Sequence, residues 1–346
     1  MERILIFGAG LAGTCLAHQF MRRGQQVQLI DSGENHSSSI AAGMVNPIVF
    51  RRMNKSWRLD EFLPEAQAFY REISQEIGEE LYHPIVIRRF FSSQQERQIW
   101  EERQEQEAYK HYLNPLLQED IQHEGAHNLF GSGRVKNAFW INAAKWVAAN
   151  NAFFQQQGLL NFGEFDPNTW DPQTRTYRNI TYDKVIFCLG YRQKSEHTFS
   201  YLPLQQTKGQ TLLIESDQLP TDESLNRKCF VLPVGKNQFR VGATYEWNNA
   251  SLETTEAARD QLIEMLSSLG TYDYQILEQR AGVRPTVLDR RPLMGEHPEY
   301  QGVYIFNGLG TKGYMMAPTL ANELASFILD QTPLHPETDI RRFTTI

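Results

Sequence analysis

The first 31 residues carry the pattern that most constrains the fold of this 346-residue chain. An apolar run is followed at once by Gly8, Gly10 and Gly13, in the spacing GxGxxG. A helix-like stretch comes next, and a second apolar run ends at Asp31. Strand, glycine turn, helix and strand in this order are typical of a βαβ unit that binds a dinucleotide.

The residues of this pattern have distinct physical roles in such a unit. Gly8 allows the tight turn, Gly10 lets the backbone approach a pyrophosphate, and Gly13 lets the helix pack closely on the strand. The helix N-terminus offers free N–H groups and a positive dipole end to the phosphates. Asp31 is placed to accept hydrogen bonds from a ribose. The alternative is a glycine-rich turn without a ligand, which leaves the acidic end of the second strand unexplained.

The composition indicates a globular protein with more than one core. The length suits two domains, and 41% hydrophobic with 22% charged residues is ordinary for a globular chain. The net charge of −7 supplies no basic field to attract nucleic acid or an acidic membrane. No stretch approaches the about 18 uninterrupted apolar residues of a membrane span, and the apolar start runs straight into the glycine turn, unlike a signal peptide. We therefore expect a cytoplasmic protein.

The cysteines and histidines indicate neither a disulfide framework nor a metal centre. Cys15, Cys188 and Cys229 lie far apart in apolar settings and form no CxxC pair, which is typical of buried free thiols in a reducing cytosol. The nine histidines include no HxH or HExxH spacing, so no metal site is predicted.

The rest of the chain changes pattern and then returns to it. Between residues 210 and 244, short apolar runs around a turn at Gly235 predict hairpins and an antiparallel sheet. The apolar run 303–306 then leads into a second glycine loop and a closing helix with Pro318 in its first turn. A nicotinamide enzyme has no need of such a late segment. In flavoenzymes of the glutathione-reductase type, a late helix points at the flavin ring, so the loop favours FAD over NAD.

Several motifs resemble one enzyme family in their order along the chain. They are the fingerprint, the loop 41–43, the segment 282–285, Asp289 with Arg291 and Pro292, and the segment 308–318. The chain resembles the D-amino acid oxidase superfamily of FAD-dependent oxidoreductases, nearest in pattern to glycine oxidase and sarcosine oxidase. It is also similar to the flavin domain of the bifunctional enzyme that modifies a methylaminomethyl uridine in tRNA. The middle insert matches these families in architecture alone.

The resemblance implies an α/β fold with two domains. One is a Rossmann-like FAD-binding domain of the glutathione-reductase type, and the other is an inserted α+β substrate domain with an antiparallel sheet. The resemblance implies FAD-binding segments 1–80, 134–205 and 280–346, and substrate-domain segments 81–133 and 206–279.

The resemblance also implies a non-covalent FAD that lies extended across the first domain. No Cys or His stands where covalent attachment occurs in related amine oxidases. Asp31 would bind the ribose, Gly10 and Leu11 the pyrophosphate, and Ala42 and Gly43 the region near the flavin. The predicted cofactor-binding residues are Gly8, Gly10, Leu11, Ala12, Gly13, Asp31, Ser32, Ala41, Ala42, Gly43, Met44, Gly190, Gly282, Gly308, Gly310, Thr311, Lys312 and Gly313.

Arg284, Thr311 and Lys312 are the candidate catalytic residues. The planar guanidinium of Arg284 could hold a substrate carboxylate by two hydrogen bonds, a role that the resemblance to glycine oxidase implies; the alternative is a structural salt bridge. Backbone N–H groups of the glycine loop and the dipole of the closing helix could stabilise negative charge on the flavin. Lys312 could add a positive charge or aid oxygen reduction, and the alternative is a solvated loop lysine.

Two departures from the family pattern put glycine and sarcosine in doubt as substrates. Phe230 falls where relatives place a tyrosine that contacts substrate, so the phenolic hydroxyl is missing. Some glycine oxidases carry a further arginine at about the place of Thr311 or Lys312. Tyr245 and Trp247 follow a predicted strand, where they either line the pocket or simply pack.

Three functions are compatible with this sequence. The first is an FAD-dependent oxidase or dehydrogenase that acts on the C–N bond of a small amino or imino acid, with oxygen or another electron acceptor. The second is a flavoenzyme acting on a modified uridine in tRNA, for which Arg51, Arg52, Lys55 and Arg58 form a candidate basic cluster but the acidic net charge counts against nucleic acid. The third is a flavin subunit of a heteromeric amine dehydrogenase. Substrate identity, acceptor and oligomeric state stay open.

Overall fold

The computed structural model describes residues 2–34, 37–115 and 125–343, and the statements below refer to them. The α-helices are α1 (Leu11–Arg22), α2 (Ser37–Ile40), α3 (Leu59–Ile77), α4 (Gln94–Gln104), α5 (Ala143–Gln156), α6 (Glu256–Leu269) and α7 (Gly313–Asp330). Short 3₁₀ turns cover Glu107–Tyr109, Pro167–Thr169, Gly190–Ser195 and Ile340–Phe343.

Twenty strands are described, and most belong to two large sheets. They are β1 (Arg3–Phe7), β2 (Gln26–Asp31), β3 (Met44–Val45), β4 (Ile48–Val49), β5 (Asn54–Lys55), β6 (Tyr82–Phe90), β7 (Ser132–Ile141), β8 (Leu160–Phe162), β9 (Trp170–Asp171), β10 (Thr176–Tyr177), β11 (Ile180–Thr181), β12 (Lys184–Phe187), β13 (Leu204–Glu215), β14 (Glu223–Asn226), β15 (Phe230–Gly235), β16 (Gln238–Gly242), β17 (Glu246–Trp247), β18 (Gln275–Val287), β19 (Leu293–Glu296) and β20 (Val303–Asn307).

The first sheet has six strands in the order β19-β20-β12-β1-β2-β8. All neighbours pair in parallel except β19 and β20, which are antiparallel. Residues 4–7 of β1 are at most 1% exposed, because Ile4 and Ile6 pack with α1 and α7 while Leu5 and Phe7 pack on the opposite face. Burial on both faces explains why the central strands β1, β12 and β20 are nearly continuous apolar runs.

The second sheet has nine strands and is mostly antiparallel. Its order is β17-β13-β16-β15-β14-β6-β7-β3, and β18 pairs along the length of β13. Helix α6 packs on it through Leu262, Leu266 and Leu269. A parallel sheet combined with an antiparallel sheet confirms the predicted α/β fold with an antiparallel insert.

The chain crosses between the two sheets more than once. Strand β18 runs from Gln275 in the predicted substrate segment to Val287 in the predicted FAD-binding segment. The domain boundaries therefore stay a prediction. None of the helices in the described ranges is both long and apolar enough to cross a bilayer.

Candidate active site

The carboxyl ends of four parallel strands open into one cavity of about 680 Å³. In open parallel sheets, ligands bind at this edge, and the volume lies in the usual range of ligand sites. Residues at those four ends line the cavity: Gly8 after β1, Asp31 at the end of β2, Cys188 after β12 and Asn307 at the end of β20.

Two helix N-termini face the same cavity. Helix α1 begins at Leu11 and helix α7 at Gly313, both residues line the cavity, and the two helices pack against each other. Neither first turn contains an acidic residue, and neither N-cap side chain makes a capping hydrogen bond. The positive ends of both helices are therefore oriented for a negatively charged ligand. Residues 11 and 313, which are about 300 positions apart in the sequence, therefore lie at the same cavity.

Close backbone approach explains the glycines of the first turn. Gly8 has φ +102°, and a Cβ there would lie 2.4 Å from the carbonyl oxygen of Cys188. A Cβ on Gly13 would lie 1.8 Å from the carbonyl oxygen of Gly8. These distances leave no room for a side chain, so helix α1 can start directly over the end of β1 only with glycine at both positions.

Asp31 organises the end of the cavity expected to hold the ribose. Its carboxylate accepts hydrogen bonds from the backbone N–H of Ala9 and of Gly33, each at 2.6 Å. The next side chain, Ser32, accepts a hydrogen bond from Arg192 at 2.7 Å. The N–H of Leu11, predicted for the pyrophosphate, donates to Ser38 Oγ at 2.9 Å. The carboxylate of Asp31 and the N–H groups at the start of α1 thus lie together in one part of the cavity.

Three consecutive small residues form another part of the cavity wall. Ala41, Ala42 and Gly43 line it, and Gly43 has φ +70°. A Cβ on Gly43 would lie 1.9 Å from the carbonyl oxygen of Ile141, so the loop passes directly over β7. A flat ring system could approach this backbone closely.

All but two of the predicted cofactor-binding residues line this one cavity. Gly13 faces the end of β1, and Gly308 packs against Val287, where a Cβ would come within 2.8 Å of the valine side chain. The other sixteen line the cavity: Gly8, Gly10, Leu11, Ala12, Asp31, Ser32, Ala41, Ala42, Gly43, Met44, Gly190, Gly282, Gly310, Thr311, Lys312 and Gly313.

Arg284 projects into the cavity from β18. Its guanidinium lies across Gly209 of β13, where a Cβ would be only 2.2 Å from a guanidinium nitrogen. Its hydrogen bonds, to the carbonyl oxygens of Lys208 and Thr244, are both long at 3.5 Å. No Asp or Glu of the described residues pairs with it, so the alternative of a structural salt bridge has no support. Burial lowers the pKa of Arg284, and a bound anion would compensate for that desolvation.

Lys312 is not a solvated loop lysine. Its side chain is partly buried, and Nζ donates to the carbonyl oxygen of Asn46 at 3.1 Å and to Ser56 Oγ at 2.5 Å. Desolvation lowers the pKa of Lys312 to about 8. Its neighbour Thr311 is exposed at the cavity. A lysine whose pKa is lowered by burial therefore occupies the N-cap of α7.

Two of the four residues of the candidate basic cluster are neutralised by carboxylates. Lys55 pairs with Asp60, and Arg58 pairs with Glu61 and Glu323. The remaining members, Arg51 and Arg52, are exposed. The four residues therefore do not form a continuous basic surface for nucleic acid.

Sequence reasoning missed two residues at the site. The first is Gly209, over which the guanidinium of Arg284 lies. A glycine inside a predicted strand often marks the close approach of another group, so the sequence did contain an indication of it. Asn307 accepts from the N–H of Gly308 at 2.8 Å and donates to the carbonyl oxygen of Gly190 at 2.9 Å. Its signal was a polar residue directly after a buried strand.

Comparison with known proteins gives a consistent result. A family model described as FAD dependent oxidoreductase matches residues 3–327. The chain is 24% identical over 358 residues to the tRNA 5-methylaminomethyl-2-thiouridine biosynthesis bifunctional protein of Marinobacter nauticus, and the match covers 95% of this chain but only 56% of that protein.

Solved structures share the fold over nearly the whole chain. Glycine oxidase from Geobacillus kaustophilus superposes with a TM-score of 0.82 at 16% identity, covering 99% of this chain and 98% of that one. Iminodiacetate oxidase from Chelativorans sp. gives 0.81 at 20% identity, covering 97% and 98%. At such identities the superpositions establish the fold alone. Because the family model matches nearly the whole chain, the protein belongs to the FAD dependent oxidoreductase family.

Proposed function

We propose that this FAD-dependent oxidoreductase oxidises the C–N bond of a small amino or imino acid whose carboxylate is held by Arg284. The observation that carries the proposal is a guanidinium inside the cavity with no acidic partner among the described residues. A buried cation of this kind is favoured when an anion binds it, and a guanidinium matches a carboxylate by two parallel hydrogen bonds. The names of two structural relatives, glycine oxidase and iminodiacetate oxidase, denote enzymes for amino or imino acids.

The residues of the cavity fit FAD. The N-terminus of α1 would take the pyrophosphate, Asp31 the ribose, and residues 41–43 the flavin ring. The N-terminus of α7 and Lys312 would place positive potential beside the ring. When bound, FAD supplies a two-electron acceptor that takes a hydride equivalent from the substrate and passes the electrons to oxygen or another acceptor.

The protein contributes orientation and charge. The nitrogen lone pair of the substrate forms a C=N bond as the hydride leaves the adjacent carbon, and water then converts the imine to a carbonyl compound and an amine. Arg284 would fix the carboxylate, so that the C–H bond that breaks has one orientation instead of many. The positive charge of Lys312 would stabilise the negative charge that electron transfer brings to the site.

An anaerobic screen tests the proposal. Amino and imino acids mixed with the holoenzyme should bleach the visible absorbance of FAD, and amines without a carboxylate should do so far less efficiently. Arg284→Ala should raise KM for the acids while FAD content stays normal, and Arg284→Lys should recover only part of the loss because lysine cannot form the paired hydrogen bonds. Equal rates with amines that lack a carboxylate would contradict the role of Arg284.

An amine on a modified uridine in tRNA is the second candidate. It is favoured by the match to the tRNA-modifying protein over 95% of this chain. It is disfavoured by the carboxylates that pair with Lys55 and Arg58. The same anaerobic assay distinguishes the candidates, because bleaching by undermodified tRNA but by no free acid would replace the first function with the second. A flavin subunit of a larger dehydrogenase would be bleached by neither.

A further inference from the structure

Two large aromatic side chains are exposed in contact with each other, and one of them, Tyr245, lines the cavity. Tyr245 is 44% exposed and Trp247 is 46% exposed, and their ring centroids are 5.1 Å apart at an interplanar angle of 73°. Single exposed aromatic residues are ordinary on protein surfaces, whereas contiguous exposed apolar surface is typical of ligand and partner sites. We call these two residues the aromatic corner.

The backbone holds the aromatic corner in a fixed orientation. Strand β17 pairs with β13 through Lys208 opposite Glu246 and Thr207 opposite Trp247. Tyr245 directly precedes β17, and the side chains of Tyr245 and Trp247 are exposed whereas Glu246 between them is half-buried. The carboxylate of Glu246 accepts hydrogen bonds from Gln210 at 3.3 Å and from Asn249 at 3.0 Å. This inner anchor leaves both rings facing outward.

The aromatic corner is continuous with the proposed carboxylate site. Tyr245 lines the cavity, and Cζ of Arg284 lies 5.4 Å from the centre of its ring. Tyr245 therefore lies between the guanidinium of Arg284 and the ring of Trp247 in a chain of direct contacts. A substrate with only a hydrogen or a methyl group beyond its amine and carboxylate would leave both rings in water.

We infer that the substrate is an amino or imino acid that carries a planar aromatic group, which packs on the aromatic corner while its carboxylate binds Arg284. This inference rests on the proposed function and specifies its substrate class. Aromatic rings prefer offset or edge-to-face contacts at 4.5–7 Å, and two rings at 73° offer a third ring one face and one edge. Selectivity for aromatic acids follows from contacts that smaller acids cannot make.

Binding to the holoenzyme tests this inference without relying on turnover. Acetate and phenylacetate carry the same carboxylate, and either can be titrated against the visible spectrum of bound FAD. We expect phenylacetate to bind about tenfold more tightly than acetate. Trp247→Ala and Tyr245→Ala should each reduce this ratio, and Trp247→Phe should retain most of it. Tyr201→Ala is the matched control, because Tyr201 is a 41% exposed tyrosine that packs on His297 and does not line the cavity.

Turnover provides the second measurement. Two ratios of kcat/KM are measured, N-benzylglycine to sarcosine and phenylalanine to alanine. Each ratio should exceed ten in the wild type and fall toward one in Trp247→Ala. Oxidation of all four acids at similar efficiency, with ratios unchanged in both variants, would overturn the inference and leave the proposed function intact. If neither carboxylate perturbs the spectrum and no acid reduces FAD, the proposed function and this inference fall together.

Discussion

Substitution of Gly209 by alanine should displace Arg284 without unfolding the protein. The added Cβ would lie 2.2 to 2.4 Å from three atoms of the guanidinium, whereas ordinary contact begins near 3.4 Å. The atoms it meets are the far end of a flexible side chain, so the side chain can move and the backbone need not. Gly209 does not adopt a positive φ, so alanine is compatible with its backbone.

The distances set the expected size of the effect. The guanidinium must shift by about 1 Å, and a misplacement of that size at a reacting substrate costs up to about 100-fold. Loss of one charge-assisted hydrogen bond is worth about 1.5–3 kcal/mol, or roughly 10- to 150-fold. We therefore expect kcat/KM for a carboxylate substrate to fall about 10- to 100-fold in Gly209→Ala, mainly through KM.

Steady-state kinetics with free acids, together with FAD content and Tm, measure this effect. Gly235→Ala is the matched control, because Gly235 lies in the same sheet and a Cβ there meets nothing within 4 Å. An amine without a carboxylate should be oxidised equally by wild type and Gly209→Ala. A normal KM for the acids in a folded Gly209→Ala with full FAD would refute the assignment of Arg284 as the carboxylate ligand.

Three further predictions concern the cofactor and the charge beside it. Lys312 loses its charge as pH rises through its pKa of about 8. In a pH–rate profile, kcat/KM of the wild type should therefore exceed that of Lys312→Met about tenfold at pH 7, which corresponds to ~1.4 kcal/mol. The two values should become equal by about pH 9.5. Gly13→Ala should abolish FAD binding and lower Tm, although alanine is the better helix former by about 1 kcal/mol, because the Cβ would meet backbone that cannot move. Asp31→Ala should raise the Kd for FAD about tenfold or more in a fluorescence titration, because the carboxylate that holds the N–H groups of Ala9 and Gly33 at this part of the cavity is lost.

The sequence was sufficient to predict the elements that depend on local chemistry. Residues 4–31 combine an apolar run, a glycine turn and an acidic end, and each of these follows from nearest-neighbour sterics and burial. The late glycine loop at 308–313 follows a buried apolar run and precedes a helix, so the same local chemistry predicts it. These patterns establish the fold class because a βαβ unit has few stable arrangements.

The remainder depended on contacts between segments far apart in the chain. Gly209 and Arg284 are 75 positions apart, and only the register of β13 against β18 brings them together. Arg58 belongs to a basic run in the sequence, but Glu323 of α7 neutralises it across 265 positions. Local sequence patterns indicate which residues have the chemistry to bind a ligand. Contacts between distant strands and helices determine which of these residues face the cavity and which are neutralised by another side chain.

A double-mutant cycle tests whether the effect of Gly209→Ala passes through the arginine. In an Arg284→Ala background no guanidinium remains for the added Cβ to displace, so Gly209→Ala should then change kcat/KM for an acid less than twofold. The two single effects should therefore fail to add, as expected for residues in direct contact. Trp247→Ala should keep its effect on an aromatic amine that lacks a carboxylate, because the aromatic corner binds the ring and not the anion. If Gly209→Ala remained harmful without Arg284, its effect would arise from the sheet itself and the carboxylate site would have to lie elsewhere in the cavity.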